Sequence, residues 1–187
     1  MLRKLLQRFR SDDGPYALYA EIVAQARQPE FYQTMGAADT VEGRFEMIVL
    51  HAVLVMRRLR REGAQGRAVA QSLFDLFFAD MDRSLREMGV GDLSVPRRIR
   101  SMVEAFYGRA SVYDAALDAA GAEGLRAALE RNLLQGEGGE AALDAMAAYV
   151  VACEEALTEV PADAIIAGRI AWPKSPEPAR GDRGGVQ

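Results

Sequence analysis

Apolar side chains recur with the period of an α-helix along nearly the whole chain. The segment 41–61 shows this most clearly. One of its stripes consists of Phe45, Ile48, Val49, Ala52, Met56 and Leu59. Leu50, Leu54 and Val55 make the other side apolar too, which is typical of a helix in the middle of a bundle. No segment of useful length alternates with period two, so no sheet is expected. The sequence therefore predicts an all-α fold.

Glycine and proline divide this pattern into about seven to eight helices in a single compact bundle. The predicted helices cover residues 15–28, 41–61, 67–88, 96–107, 109–120, 122–135 and 139–160. Pro29–Ala38 is expected to form a turn or a one-turn helix, and 162–167 one further turn. Gly108 is expected to break or kink the chain. Asp39-Thr40-Val41-Glu42 has capping-box spacing, with the acid as the cap of the helix that follows. The bundle is assigned to residues 15–170.

The two ends differ from this body. Residues 1–14 are predicted to form a short basic amphipathic helix and a linker, with Leu2, Leu5, Leu6 and Phe9 on one stripe. Its cations are Arg3, Lys4, Arg8 and Arg10. Docking on the body and weak contact with an anionic membrane surface both fit this helix. Residues 171–187 are expected to form a disordered tail. Neither a secretory signal nor a membrane-spanning helix is expected, so the cytoplasm, including the periphery of the inner membrane, is the predicted location.

Charge is unevenly distributed along a chain whose net charge is −4. Basic residues cluster at Arg57, Arg58, Arg60 and Arg61 and again at Arg97, Arg98 and Arg100. The segment 114–159 contains ten acidic residues and only two arginines. Such polarity fits a basic face for anionic lipid or RNA. Arginines paired or solvated within the fold explain it equally well.

Catalytic and metal-binding residue types are scarce. A single cysteine, Cys153, excludes an internal disulfide framework and multi-cysteine metal sites. A single histidine, His51, excludes His-rich metal sites, and Glu46 lies at the wrong spacing for a di-iron bundle. We expect a buried structural thiol and a hydrogen-bonded core histidine. No enzyme activity, metal or cofactor is predicted, although an enzyme or metal protein using His51 with nearby carboxylates remains an alternative.

The segment 74–88 contains both acidic and apolar candidates. Asp75, Asp80 and Asp82 lack calcium-loop spacing, so a solvated or salt-bridged face is favoured over a metal site. The apolar stripe consists of Phe74, Phe77, Phe78, Met81, Leu85 and Met88. Such a stripe is typical of core packing, but phenylalanine with methionine is also typical of adaptable grooves for apolar helices. Both interpretations remain open.

Three blocks of sequence resemble a known family. They are Asp39-Thr40-Val41-Glu42-Gly43-Arg44-Phe45-Glu46 with Leu50-His51 and Arg57-Arg58-Leu59; Leu73-Phe74-Asp75 through Phe78, with Asp80-Met81-Asp82 and Leu85-Arg86-Glu87-Met88-Gly89; and Asp92-Leu93-Ser94-Val95-Pro96, with Met102 and Phe106-Tyr107-Gly108-Arg109. In order and spacing these blocks are similar to the bacterial branch of the ubiquinol–cytochrome c chaperone family. The resemblance covers roughly residues 15–160.

The resemblance implies a non-catalytic assembly factor of the cytochrome bc complex. The mitochondrial members of the family hold newly made cytochrome b, act with a small partner protein and associate with the ribosome. A ribosome- or RNA-binding adaptor that uses the arginine clusters is the alternative function, and DNA is not an expected partner.

Three sets of functional residues are predicted. The predicted client-binding surface consists of Phe74, Phe77, Phe78, Met81, Phe106 and Tyr107. The predicted charged rim consists of Asp80, Asp82, Arg97, Arg98 and Arg100. The predicted membrane or ribosome contacts are Arg3, Lys4, Arg8, Arg10, Arg57, Arg58, Arg60 and Arg61.

Overall fold

Eight α-helices and one π-helical turn build the part of the chain that the computed structural model describes, residues 13–119, 122–135 and 139–173. The helices are α1 (Gly14–Ala26), α2 (Pro29–Gln33), α3 (Val41–Arg60), α4 (Gly63–Glu87), α5 (Val95–Asp118), α6 (Ala122–Leu129), α7 (Gly139–Glu159) and α8 (Ala162–Ile166). The π-helical turn, Glu130–Leu134, continues α6. The predicted all-α fold is confirmed. The predicted N-terminal helix up to residue 12 and the tail after residue 173 lie outside the described residues.

Helix α3 is the centre of the bundle. Every residue from Glu46 to Met56 is buried, and α1, α4, α5, α7 and the π-helical turn all pack against α3. The apolar side chains all round this helix are therefore explained by neighbours on every side. None of the helices in the described ranges combines the length and the apolar character needed to cross a bilayer.

The start of α3 lies one residue away from the predicted cap. Thr40, not Asp39, is the N-cap: its backbone is extended, and its hydroxyl accepts a hydrogen bond from the Gly43 amide at 3.0 Å. Asp39 instead pairs with Arg44 at 2.7 Å. Both residue types cap helices well, so the spacing alone did not decide between them.

Two glycines behave differently from one another. Helix α5 runs unbroken through Gly108, so the predicted break is wrong. Phe106 and Tyr113 are buried on either side of Gly108, and their packing outweighs a propensity cost of about 1 kcal/mol. At Gly66, by contrast, a β-carbon would overlap the backbone carbonyl oxygen of Leu59. The glycine at this position lets α4 turn back closely against the end of α3.

We expect opposite effects from the same substitution at these two glycines. Gly66→Ala should lower the free energy of unfolding by about 1–3 kcal/mol, because the added methyl group overpacks the α3–α4 corner. Gly108→Ala should raise it by about 0.5–1 kcal/mol, because the site is open and helical. Urea titration followed by circular dichroism measures both. Equal effects at the two positions would contradict this account of the corner.

Candidate functional site

An open groove of about 580 Å³ lies between α4 and α5, above the Met56 side chain of α3. It forms where the N-terminal half of α4 runs beside the middle of α5. Its lining residues are Met56, Arg60, Arg67, Ala70, Gln71, Phe74, Phe106, Tyr107, Ala110, Ser111 and Asp114. Six of these eleven side chains are apolar or aromatic, and the other five are polar or charged. This arrangement is typical of sites that bind apolar ligands or helices.

Aromatic rings form the middle of the groove. Phe74 on α4 is half-buried, and its ring centroid lies 5.4 Å from that of Phe106 and 5.4 Å from that of Tyr107 on α5. Phe106 is buried, whereas Tyr107 is 58% exposed. These distances lie in the attractive range for aromatic pairs. The pairing thus holds the two helices together and leaves Tyr107 available for further contact.

One edge of the groove is closed by an ion pair. The Arg60 guanidinium of α3 lies 2.6 Å from the Asp114 carboxylate of α5. Arg67 and Gln71 of α4 are exposed at the other edge. A binding partner would therefore meet apolar rings at the centre and hydrogen-bonding groups at the rim.

The predicted client-binding residues divide into two groups. Phe74, Phe106 and Tyr107 line the groove. Phe77 and Phe78 are buried in the core, where Phe77 stacks on Phe45 with centroids 5.8 Å apart, and Met81 is half-buried against the same core. Helical spacing placed all of them near one face of α4 or α5. Only the neighbouring helices decide which rings remain accessible.

The predicted charged rim also divides. Asp80 accepts a hydrogen bond from the Tyr19 hydroxyl at 2.7 Å and pairs with Arg83, and Asp82 pairs with Arg86 at 2.6 Å. This confirms a salt-bridged face. Arg97, Arg98 and Arg100 are exposed on the first two turns of α5. None of these five residues lines the groove.

The arginines at the end of α3 are held by acidic partners within the fold. The Arg57 guanidinium contacts Asp118 at 2.6 Å, Glu154 at 3.0 Å and Asp114 at 3.3 Å, which joins α3 to α5 and α7. The guanidinium of Arg61 also reaches Glu154, at 2.6 Å. The cluster is thus largely neutralised by the acidic part of the chain, as the alternative of pairing within the fold predicted.

Arg58 is buried and closes the end of α7. Its Nε donates to the Leu157 carbonyl at 2.9 Å and its Nη2 to the Val160 carbonyl at 2.8 Å. It also pairs with Glu62. Carbonyls at the C-terminal end of a helix lack partners within the helix, so a buried guanidinium that reaches them stabilises the end of α7. This contact is structural, and it leaves little of Arg58 for an external anion.

His51 is a satisfied core histidine, as the sequence predicted. It is fully buried, with Nδ1 2.7 Å from the Met47 carbonyl oxygen and Nε2 2.8 Å from the Tyr149 hydroxyl. Gln25 donates to the same hydroxyl at 2.8 Å. A neutral ring with its proton on Nδ1 satisfies all these bonds, since Tyr149 then donates to Nε2. Burial lowers the pKa of His51 to about 4.

Cys153 is a buried structural thiol, again as predicted. Burial raises its pKa to about 12, so its reactive thiolate form is suppressed near neutral pH. Within the described part of the chain, no three His, Cys, Asp or Glu side chains come together in a metal-ligating group. The α4–α5 groove is therefore the candidate binding site.

His51 makes stability depend on pH. The unfolded chain takes up a proton on His51 as the pH falls below its ordinary pKa of 6.5, whereas the folded chain resists protonation until about pH 4. Stability should therefore be lost as the pH falls through this window, by about 3 kcal/mol from this residue.

Comparison with His51→Gln isolates this contribution from that of the carboxylates. The variant should be less stable at pH 7, and its deficit against the wild type should shrink by about 2–3 kcal/mol towards pH 4.5. Urea titrations at several pH values measure the difference. A deficit that stays constant with pH would contradict the assigned burial of a neutral ring.

The fold and the groove together define a helical domain that offers an apolar surface for binding. The model of the family described as ubiquinol-cytochrome C chaperone matches residues 33–172. This chain belongs to that family, as the sequence blocks indicated. The family is a chaperone family, which is a non-enzymatic class.

Two relatives give the extent of the similarity. The crystal structure of the Cbp3 homolog from Brucella abortus is similar with a TM-score of 0.82 and 39% identity, covering 94% of this chain and 98% of that one. Ubiquinol-cytochrome-c reductase complex assembly factor 1 from Xenopus laevis is 27% identical over 117 residues, 63% of this chain. The match spans 58% of that curated relative's length.

Proposed function

We propose that this protein is a non-catalytic assembly factor of the ubiquinol-cytochrome c reductase complex, and that the α4–α5 groove holds apolar helices of newly made cytochrome b. Family membership supports the chaperone role. The observation that supports the site is the exposed aromatic surface of Phe74 and Tyr107 beside buried Phe106. Phe77 and Phe78 are buried, so their part in this proposal is to pack against Phe106 beneath the groove. Client contact by the half-buried Met81 remains a prediction.

The size of the groove limits how much of a client it can hold. A membrane-spanning helix is a cylinder about 10 Å wide and 30 Å long, or roughly 2,400 Å³. A groove of about 580 Å³ therefore accepts only part of one helix face. Recognition then depends on a few apolar anchors spaced one helical turn apart. Each anchor contributes about 1.5–3 kcal/mol before the entropic cost of binding, so the complex is expected to be weak and reversible. Reversible binding suits a protein that must release its client.

The alternative of a ribosome- or RNA-binding adaptor has less support from the α3 arginines, because Arg57, Arg58 and Arg61 are occupied by partners within the fold. Its remaining candidates among the described residues include Arg67 of α4 and the exposed arginines of α5. A small partner protein and a location at the cytoplasmic side of the inner membrane remain part of the proposal by family resemblance.

Tyr107 provides the sharpest test of the groove. Tyr107→Asp should lower client binding by about 5- to 30-fold, because a charge replaces an exposed aromatic anchor. Tyr16→Asp is the matched control, since Tyr16 is also a helical tyrosine, is 66% exposed and lies on α1 outside the groove. Co-purification of cytochrome b with each variant measures the effect.

Photo-crosslinking at the same two positions gives an independent readout. A photoreactive phenylalanine analogue at position 107 should capture cytochrome b in cells, and the same analogue at position 16 should not. Equal capture at both positions, or capture only at position 16, would refute the groove as the client site.

Loss of the protein tests the function itself. Deleting its gene should lower cytochrome b and the assembled complex, while the cytochrome b transcript stays normal. Restoring the wild-type chain should restore both. A normal quinol-oxidising complex in the deletion strain would end the proposed function.

A further inference from the structure

The turn between α4 and α5 projects apolar side chains into solvent. Leu93 is 98% exposed and Met88 is 58% exposed. A methyl group placed on Gly89 or Gly91 would meet no atom within 4 Å, so this turn stands clear of the body. Two large apolar side chains that are exposed five residues apart on one turn make this turn a candidate contact surface.

Basic side chains follow this turn directly. Arg97, Arg98 and Arg100 are exposed, and none of them has an ion-pair partner among the described residues. This contrasts with the α3 arginines, which have acidic partners. Arginines in the first turns of a helix also oppose its dipole. Helix stability therefore does not account for their position.

We propose that the α4–α5 turn, residues 88–100, is a membrane-docking tip that inserts Leu93 and Met88 into the interface of an anionic phospholipid bilayer while the three arginines bind lipid headgroups. Leu93 is the most exposed apolar side chain of the turn, and the three arginines follow it along the chain, which matches the apolar and charged layers of such a surface. Asp92, the acidic residue of the tip, pairs with Arg86 at 2.6 Å. The protein as a whole carries a net charge of −4, so the three arginines give the start of α5 a local positive charge that the chain as a whole lacks.

The tip is distinct from the groove, since no residue from 88 to 100 lines the groove. The proposal rests on the membrane location included in the proposed function and assigns a surface to it. Vesicle binding and complex assembly are measured separately, so the failure of one is distinguishable from the failure of the other.

A dye placed at the point of the tip tests insertion. Cys153 is fully buried, so Leu93→Cys in the full chain provides a selectively reactive thiol. An environment-sensitive dye there should shift to the blue with vesicles of roughly two parts phosphatidylcholine to one part phosphatidylglycerol, and not with phosphatidylcholine alone. Val151→Cys is the control, because Val151 is exposed on α7, and its dye should not shift.

Vesicle flotation tests the arginines. Arg97→Gln with Arg100→Gln should lower partition into the anionic vesicles by about 25-fold, or about fivefold per arginine. Arg27→Gln with Arg131→Gln removes the same charge from other exposed positions and should change partition far less.

Several results would each overturn the proposal that the α4–α5 turn docks on a membrane. They are no dye shift at position 93, an equal shift at position 151, and unchanged partition of the Arg97/Arg100 variant. Binding of the tip to purified ribosomes or to client protein, with vesicles inert, would assign these side chains to a macromolecular contact instead and would also overturn it.

Discussion

The burial of α3 is the constraint on which the rest of the structure depends. A helix enclosed on all sides must find partners for every polar group that it carries inward, because an unpaired buried charge costs several kcal/mol. Glu46 is buried and accepts hydrogen bonds from Nε and Nη2 of Arg109, with Nη2 at 2.6 Å from Oε1. His51 is met by Tyr149 and Arg58 by the end of α7. Neighbouring helices are thus fixed in place by the polar groups of the central one.

Part of the acidic charge between residues 114 and 159 pairs with the arginines of α3. Asp114, Asp118 and Glu154 converge on Arg57 from two different helices. The positive charge of α3 and the negative charges of α5 and α7 form one ion-pair network, which joins these three helices. The groove lies between α4 and α5 over Met56, and the Arg60–Asp114 ion pair is part of its lining. Charge pairing and groove shape are linked by these two residues.

Packing by the neighbouring helices also decides which aromatic residues of α4 are buried and which are accessible. Phe74, Phe77 and Phe78 lie within five positions of each other, and all three contact Phe106. Phe77 and Phe78 are sealed by α1, α3 and α5, while Phe74 reaches the groove. The proposed client surface is thus an extension of the core: Phe74 and Phe106 are held by the same packing that stabilises the fold, so we expect them to stay ordered when no client is bound.

The sequence by itself determined the all-α fold, the central helix and the buried state of His51 and Cys153, because hydrophobic period and residue scarcity are local properties. The family followed from the motif blocks. Only the tertiary structure decided that Gly108 continues a helix, that Thr40 rather than Asp39 is the cap, and that Arg57 and Arg58 face partners within the fold. It also decided which aromatic rings remain exposed. These outcomes depend on contacts between residues far apart along the chain, and a period along one helix carries no information about what lies opposite it.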